Sequence, residues 1–371
     1  MIIFAVVVSL LFHTFCTSLP FSTYGRDGPC DELVLLNVIH RHGYRARDAA
    51  TYPNDPYINE TFFPYGLGQL TNKGKLRMYN VGVDLKQRYR CFLGDLYFPD
   101  LIEARSTDVN RTKASLALSS AGLFPPKGPL IWSLLNWIPI PYNYEKIEND
   151  FVLGSKFSNC PKYVQLYGEH LNGPGAELYS DDIPFYKYLT ENSGMNVTDP
   201  SQIYGLYFAL KTEEEWGLSI PRWAKPYLDT ELKKGTIKQY KLQTGTTELK
   251  KLAAGFYIKK ILEDSLRKIS NSLTPQDRKL FLYSAHEYNI ANILTALDIY
   301  NDIIPNYGSH IIIELRKING VYGFKVLLQN YEGNGELQLL KLPKCDYFCP
   351  LDRFVQIVQD IIPEDESACN V

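Results

Sequence analysis

The stretch LVLLNVIHRHGYRAR, residues 33–47, decides how the rest of the chain is read. Residues 33–39 form a nearly continuous apolar run, rich in β-formers and too short for a helix. They predict a strand buried on both faces. The run stops abruptly at His40, Arg41, His42, Gly43, Tyr44, Arg45, Ala46 and Arg47. Ligand sites of α/β proteins lie just past the carboxyl ends of such strands. Arginine forks match phosphate oxygens bidentately, and an imidazole among them can attack phosphorus. Gly43 is expected to let the backbone approach a ligand or to take a positive φ. Any one of these residues fits a solvated basic loop; Arg41, His42, Gly43 and Arg45 together point to an anion site.

Two further segments repeat the pattern. Residues 280–283 are a short apolar strand ending in Ser284-Ala285-His286-Glu287, with a helix expected over 289–300. Two strands ending in histidine-bearing loops face each other if they are neighbours in one parallel sheet. His286-Glu287 does not begin a zinc HExxH motif, because Ile290 stands where the second histidine belongs. Residues 101–104 predict another strand, followed by Arg105-Ser106-Thr107-Asp108 and a helix over 109–123. Ser106, Thr107 or Asp108 is expected to cap that helix. Arg111 then lies in its first turn, where free N–H groups and the helix dipole favour an anion. The bland alternative for Arg111 is an ion pair with Asp108. Thr71 reads as the N-cap of a helix running to about residue 89.

The chain has 371 residues, net charge −2 and a pI near 6.3. That balance lacks the basic surface of a nucleic-acid binder. Residues 2–12 are almost entirely apolar and small residues follow, so 1–18 reads as a secretory signal peptide, too short to span a bilayer comfortably. No later stretch reaches a membrane-spanning length, so no membrane anchor is expected. Export suits the cysteines. Cys16 leaves with the signal, and Cys30, Cys91, Cys160, Cys345, Cys349 and Cys369 remain, an even number for an oxidising compartment. The sequons at Asn59, Asn110 and Asn196 offer glycosylation sites. Asn59 and Asn196 are expected to be used, and Asn110 not, given its neighbour Arg111. The destination is extracellular, with the lysosomal lumen second.

Residues 124–143 are rich in Pro and Trp and read as an irregular connection. Trp132 and Trp137 belong either to a subunit interface or, more commonly, to the core. Residues 149–245 are mostly helical, with no buried strand. They form a helical cap subdomain inserted between core segments 30–148 and 246–371. Glu213, Glu214 and Glu215 read as a solvated helical face. A wide apolar face follows over 246–270. Late strands over 310–315 and 322–328 are expected to pair antiparallel. The fold class is α/β, a three-layer core with a mixed, mostly parallel sheet between helices, plus the cap.

Arg41-His42-Gly43-Tyr44-Arg45 resembles the RHGxR signature of the histidine acid phosphatases (histidine phosphatase superfamily, branch 2), whose fold is phosphoglycerate mutase-like. RSTDVNRT (105–112) resembles the family's second arginine block. SAHE (284–287) resembles the insect venom acid phosphatase branch, which uses His-Glu where vertebrate relatives use His-Asp. The resemblance implies a phosphohistidine on His42 and Glu287 as proton donor. It implies phosphate binding by Arg41, Arg45, Arg111 and His286, with no metal and no other cofactor. It also implies pairing of Cys345 with Cys349 and of Cys160 with Cys369, which leaves Cys30 with Cys91. The substrate would be a small phosphomonoester or a phosphoprotein, and vertebrate relatives suggest a homodimer. The chain departs from the family in two places. Arg47 stands where a proline is usual, and is expected either to loosen the loop or to add charge for a larger anion. Tyr44 stands where many members carry an acid. These departures motivate a rival, a secreted protein that binds phosphate without turnover. An inositol polyphosphate phosphatase is a second enzyme alternative, and a phosphoglycerate mutase-like transferase fits export poorly.

Overall fold

A computed structural model describes residues 30–331 and 335–371. The expected signal peptide and Cys16 lie outside the described residues. In chain order the elements are β1 (Leu33–Arg41), α1 (Asn72–Leu93), β2 (Ile102–Ser106), α2 (Asn110–Leu123), β3 (Asn143–Tyr144), α3 (Lys156–Asn159), α4 (Pro161–Leu171), α5 (Ile183–Ser193), α6 (Pro200–Trp216), α7 (Lys233–Gln243), α8 (Thr247–Lys250), α9 (Phe256–Ile269), β4 (Leu280–Ala285), α10 (Glu287–Ala296), β5 (His310–Ile318), β6 (Val321–Gln329), β7 (Gln338–Leu340), β8 (Cys349–Pro350) and α11 (Leu351–Val358).

The strands form one mixed sheet in the order β3-β2-β4-β1-β5-β6-β7, with β8 pairing on β6. β3, β2, β4 and β1 run parallel. From β1 outward through β5, β6 and β7 the pairing is antiparallel. β1 and β4 lie side by side, as their matching His-bearing ends require. Both strands are largely apolar up to their carboxyl ends because both faces are covered. Leu35 and Ile39 of β1, with Phe281 and Tyr283 of β4, enter one apolar layer. Leu36, Val38, Leu280 and Leu282 enter the other, against α1 and α2. Leu33 joins this second layer despite its odd position because the register shifts between Leu33 and Leu35.

α1 begins where expected, with the Thr71 hydroxyl accepting from the Gly74 N–H. α2 does not. Its N-cap is Val109, in extended geometry, and no side chain caps it. Thr107 is instead drawn toward His286, as described below. Helices α4 to α7 gather round a separate apolar cluster rich in tyrosine, which also takes residues of α8 and α10. Within it α6 is closed at both ends, by an Asp199–Gln202 capping box with Pro200 in the first turn and by Gly217 in left-handed geometry. Three disulfides join Cys30 to Cys91, Cys160 to Cys369 and Cys345 to Cys349. The second ties the start of α4 to the C-terminal segment.

Two expectations change. Trp132 and Trp137 are not core: Trp132 is 60 % exposed and Leu134 fully so, in a segment whose Ile131 and Leu135 also face out. Glu213 is not solvated: it is fully buried at the end of α6. Asn59, Asn110 and Asn196 are all exposed. No helix among the described residues is long and apolar enough to cross a membrane.

Candidate active site

Three neighbouring parallel strands end at the same level. Arg41 of β1 lies opposite Ala285 of β4, and Ser106 of β2 opposite Ser284. The ladder runs one step further, with the His42 N–H donating to the Ala285 carbonyl and the Thr107 N–H to that of Ser284, each at 3.1 Å. The residues just past the three ends therefore converge, and the rings of His42 and His286 stand 5.5 Å apart, edge to face. A cavity of about 310 Å³ opens above them, lined by His42, Arg45, Arg111, His286 and Glu287.

His42 is held in one usable tautomer. Its Nδ1 faces its neighbour's carbonyl, Gly43 O, at 2.9 Å. Its Nε2 faces Arg111 Nε at 3.1 Å. A guanidinium only donates, so Nε2 accepts and Nδ1 carries the proton. Burial, and then the positive charges of Arg111 and Arg41, hold the His42 pKa well below the ordinary value, so the ring is neutral and Nε2 keeps its lone pair. His286 is likewise pushed down to about 3, first by burial and then by Arg111. Its Nε2 lies 3.1 Å from Thr107 Oγ1, which in turn lies 2.8 Å from Thr112 Oγ1.

Arg45 and Arg111 share one carboxylate. Asp48 accepts from Arg45 at 2.8 Å and from Arg111 at 3.2 Å. The alternative partner for Arg111, Asp108, pairs with Lys113 instead. Gly68 is needed beside this group: its φ is +70°, and a Cβ there would come within 2.9 Å of Asp48 Oδ1. Gly43 serves a different purpose from the one expected. Its φ is not positive, and a Cβ would run into the Gly74 carbonyl at the start of α1. The close approach is to a helix rather than to a ligand.

Arg41 does not line the cavity. It is 2 % exposed, donates to Pro305 O at 2.6 Å and lies 3.9 Å from the centre of the Tyr307 ring. Its Nε stands 3.4 Å from Glu287 Oε2. The other oxygen of Glu287 accepts a hydrogen bond from the Tyr204 hydroxyl on α6. Burial pushes the Glu287 carboxyl up, but Arg41, His286 and Tyr204 outweigh it and hold it below its ordinary value.

Arg47 does not loosen the loop; it borders the cavity, and its guanidinium is tied to protein partners. It is 1 % exposed, with ion pairs at 3.6 Å to both Asp55 and Glu213. It also donates to Asp48 O at 3.0 Å and Tyr57 O at 3.2 Å. The loop is thereby fastened to α6. Tyr44 packs 4.5 Å from the Tyr307 ring, with the Lys73 ammonium 3.9 Å from its own centre. Asp48, Thr107, Tyr204 and Glu213 were not expected at the site. Thr107 lies in the quoted RSTD block, and Asp48 one residue past the first motif. Nothing local marked Tyr204 or Glu213.

His42, His286 and Glu287 offer ligand atoms within 4.8 Å of one another, the geometry of a three-ligand cation site that the sequence did not suggest. The surrounding field opposes that use. Arg41, Arg45 and Arg111 all bear on His42 and His286, so the site repels a cation and attracts an anion.

Free nucleophilic nitrogen, paired guanidiniums and a carboxyl in one cavity at the ends of parallel strands define a phosphoryl-transfer site. The model of the Histidine phosphatase superfamily (branch 2) matches residues 32–329, and the chain belongs to that family. It is 36 % identical to a venom acid phosphatase of Apis mellifera, with 91 % of this chain and 87 % of that one covered. It is 34 % identical to the human prostatic acid phosphatase, over 91 % and 87 %. Among solved structures, a phytase from Citrobacter braakii shares the fold with a TM-score of 0.63 at 17 % identity, over 92 % of this chain and 100 % of that one.

Proposed function

We infer that this chain is an acid phosphatase, hydrolysing phosphate monoesters through a phosphohistidine on His42 with Glu287 as proton donor. The observation that carries the mechanism is the unprotonated His42 Nε2 facing Arg111 beside a carboxyl group. Arg45 and Arg111 hold the phosphoryl oxygens in the place where they now share Asp48, and His286 adds a donor. Nε2 attacks phosphorus as the ester P–O bond breaks, and the Glu287 proton passes to the departing oxygen. Water then attacks phosphorus as the N–P bond breaks and its electron pair returns to Nε2, the Glu287 carboxylate takes the water proton, and phosphate leaves. Arg41 acts behind the site, orienting Glu287 and lowering its pKa.

Two supports favour turnover over mere binding. Arg47 reinforces the loop, and Tyr44 packs without displacing a site group. The inositol polyphosphate alternative has the support of a fold shared with phytases. It requires a broad basic wall, whereas beyond the arginines of the catalytic cavity the adjoining space is lined mostly by aromatic rings and amides, with Lys156 as its one amine. Residues 149–245 act as the cap that sets substrate choice. Three disulfides and exposed Asn59 and Asn196 support an exported glycoprotein. The apolar segment around Trp132 supports a homodimer, which sedimentation of the wild type and Trp132→Ser would test.

The test of function is hydrolysis of an aryl phosphate across the range from about pH 3 to 9, which spans the Glu and His titrations, with chelator present. Chelator-resistant activity, greatest in acid and abolished by His42→Ala, is expected. Folded, phosphate-binding wild type without turnover would refute the enzyme and favour the binding protein.

A further inference from the structure

Beyond Tyr204 and Tyr288 lies a second cavity, of about 410 Å³. The two rings line both spaces. Along α6, Ser201 lines the second cavity, Tyr204 both, and Gly205 and Phe208 the catalytic one. These positions fall on one helical face. At 1.5 Å per residue the step from Ser201 to Phe208 is about 10 Å, the length of a one- or two-ring group.

The chemistry of the walls is specific. Phe157, Tyr163, Tyr167, Tyr204 and Tyr288 supply aromatic faces, and Gln239, Gln243 and Asn292 supply amides. Asn292 is 5 % exposed, and its Oδ1 accepts no hydrogen bond within the protein. A buried amide oxygen left unpaired is costly, and a ligand donor would relieve it. Lys156 is the one ionisable amine on these walls, and it donates to the Phe151 carbonyl. Burial lowers its pKa to about 7, so in acid it is charged, but it is a single cation already held by the Phe151 carbonyl, against five aromatic rings and three amides. Phe157 is 44 % exposed and stands edge-on to Tyr163 and Tyr167 at the rim.

We propose that this cavity is a second binding site for an uncharged planar ring that carries a hydrogen-bond donor, received by Asn292 and stacked among the tyrosines. Such a ring has two sources, the leaving-group half of a phosphomonoester or a free molecule. The first source rests on the phosphatase reading; the second does not.

The probes are 4-acetamidophenol, 4-acetamidophenyl phosphate and glycerol 2-phosphate, with the wild type, Asn292→Leu and Phe157→Ala. Calorimetric titration should show saturable one-to-one binding of 4-acetamidophenol to the wild type, weakened roughly tenfold in each variant at unchanged melting temperature. Phe157→Ala, at the exposed rim, keeps the test valid if Asn292→Leu folds poorly. If the ring belongs to substrate, the kcat/KM of the aryl ester falls by a similar factor in the variants while that of glycerol 2-phosphate holds. If the ring is a free molecule, binding is lost and the ratio of the two esters stays constant. No saturable binding by folded wild type, or binding untouched by both variants, overturns the proposal. Absence of turnover on either ester defeats only the phosphatase reading, since the titration still decides the cavity.

Discussion

His42 illustrates how one side chain is made reactive by what its two nitrogens touch. Nδ1 is spent on Gly43 O, which leaves the Nε2 lone pair to face Arg111, and burial among guanidiniums keeps it unprotonated. Glu287 is the opposite case, since its neighbours favour the charged form while its proposed task needs a proton. A bound phosphate dianion resolves the conflict by placing negative charge beside it, which raises its pKa. Activity should therefore decline as pH rises and Glu287 ionises. Glu287→Ala is expected to slow an alkyl phosphate by roughly 10²–10⁴. An aryl phosphate, whose leaving group needs less protonation, should suffer much less, and equal losses would remove Glu287 from the donor role. Tyr204 donates to the carboxylate and so lowers its pKa. In Tyr204→Phe the carboxyl should hold its proton to higher pH. The alkaline limb of the rate profile then moves upward, whereas an unmoved profile with only lower activity would mean that Tyr204 is merely structural.

At the scale of elements, the site is the product of register. Three apolar runs, each followed by residues bearing charge or imidazole, were legible as strands with functional ends. Adjacency of β1 and β4 turned two separate motifs into one cavity. Local signals failed where contacts cross from the core to α6. Glu213 sits in a run of three glutamates, and no periodicity in that run shows that its partner is Arg47, far back in the chain. The Arg47 position itself read either as a loosened loop or as added charge for a larger anion, for the same reason. Thr107 was read as a cap because a helix follows it, but its hydroxyl serves His286. The Arg47 cluster yields a direct prediction. Arg47→Ala leaves Asp55 buried without its cation beside Glu213, and is expected to cost about 3–5 kcal/mol of unfolding free energy. Denaturant titration measures it, and a loss below about 0.5 kcal/mol, the range of an ordinary surface change, would show the fastening to be unimportant.

Across the whole molecule, buried neutral histidines set the acid limit. His40 and His286 are lowered to about 3 and His310 to about 4, in each case chiefly by burial, and His42 is lowered too. Their folded pKa values lie below the unfolded value of about 6.5. The stability they contribute is complete above that pH and is lost as pH falls toward 3. Glu213, raised to about 8 by burial and then by Asp55, has the opposite sign and loses its contribution as pH rises from its ordinary range to about 8. The four histidines should dominate on the acid side, so the denaturation midpoint should be lower at pH 4 than at pH 7. A midpoint that is equal or higher would show that the histidines charge without unfolding. The disulfides from Cys30 to Cys91 and Cys160 to Cys369 close long loops of chain and offset part of this loss.

The covalent intermediate is where residue, element and molecule meet, and it can be trapped. Rapid quenching of wild type with a phosphorus-labelled aryl phosphate, followed by peptide mass spectrometry under alkaline conditions, should find one phosphoryl group on His42. It should be attached at Nε2, form as fast as the phenol is released, and be absent from His42→Ala. Turnover without any labelled histidine, or label on Nδ1 or on His286, would contradict the account.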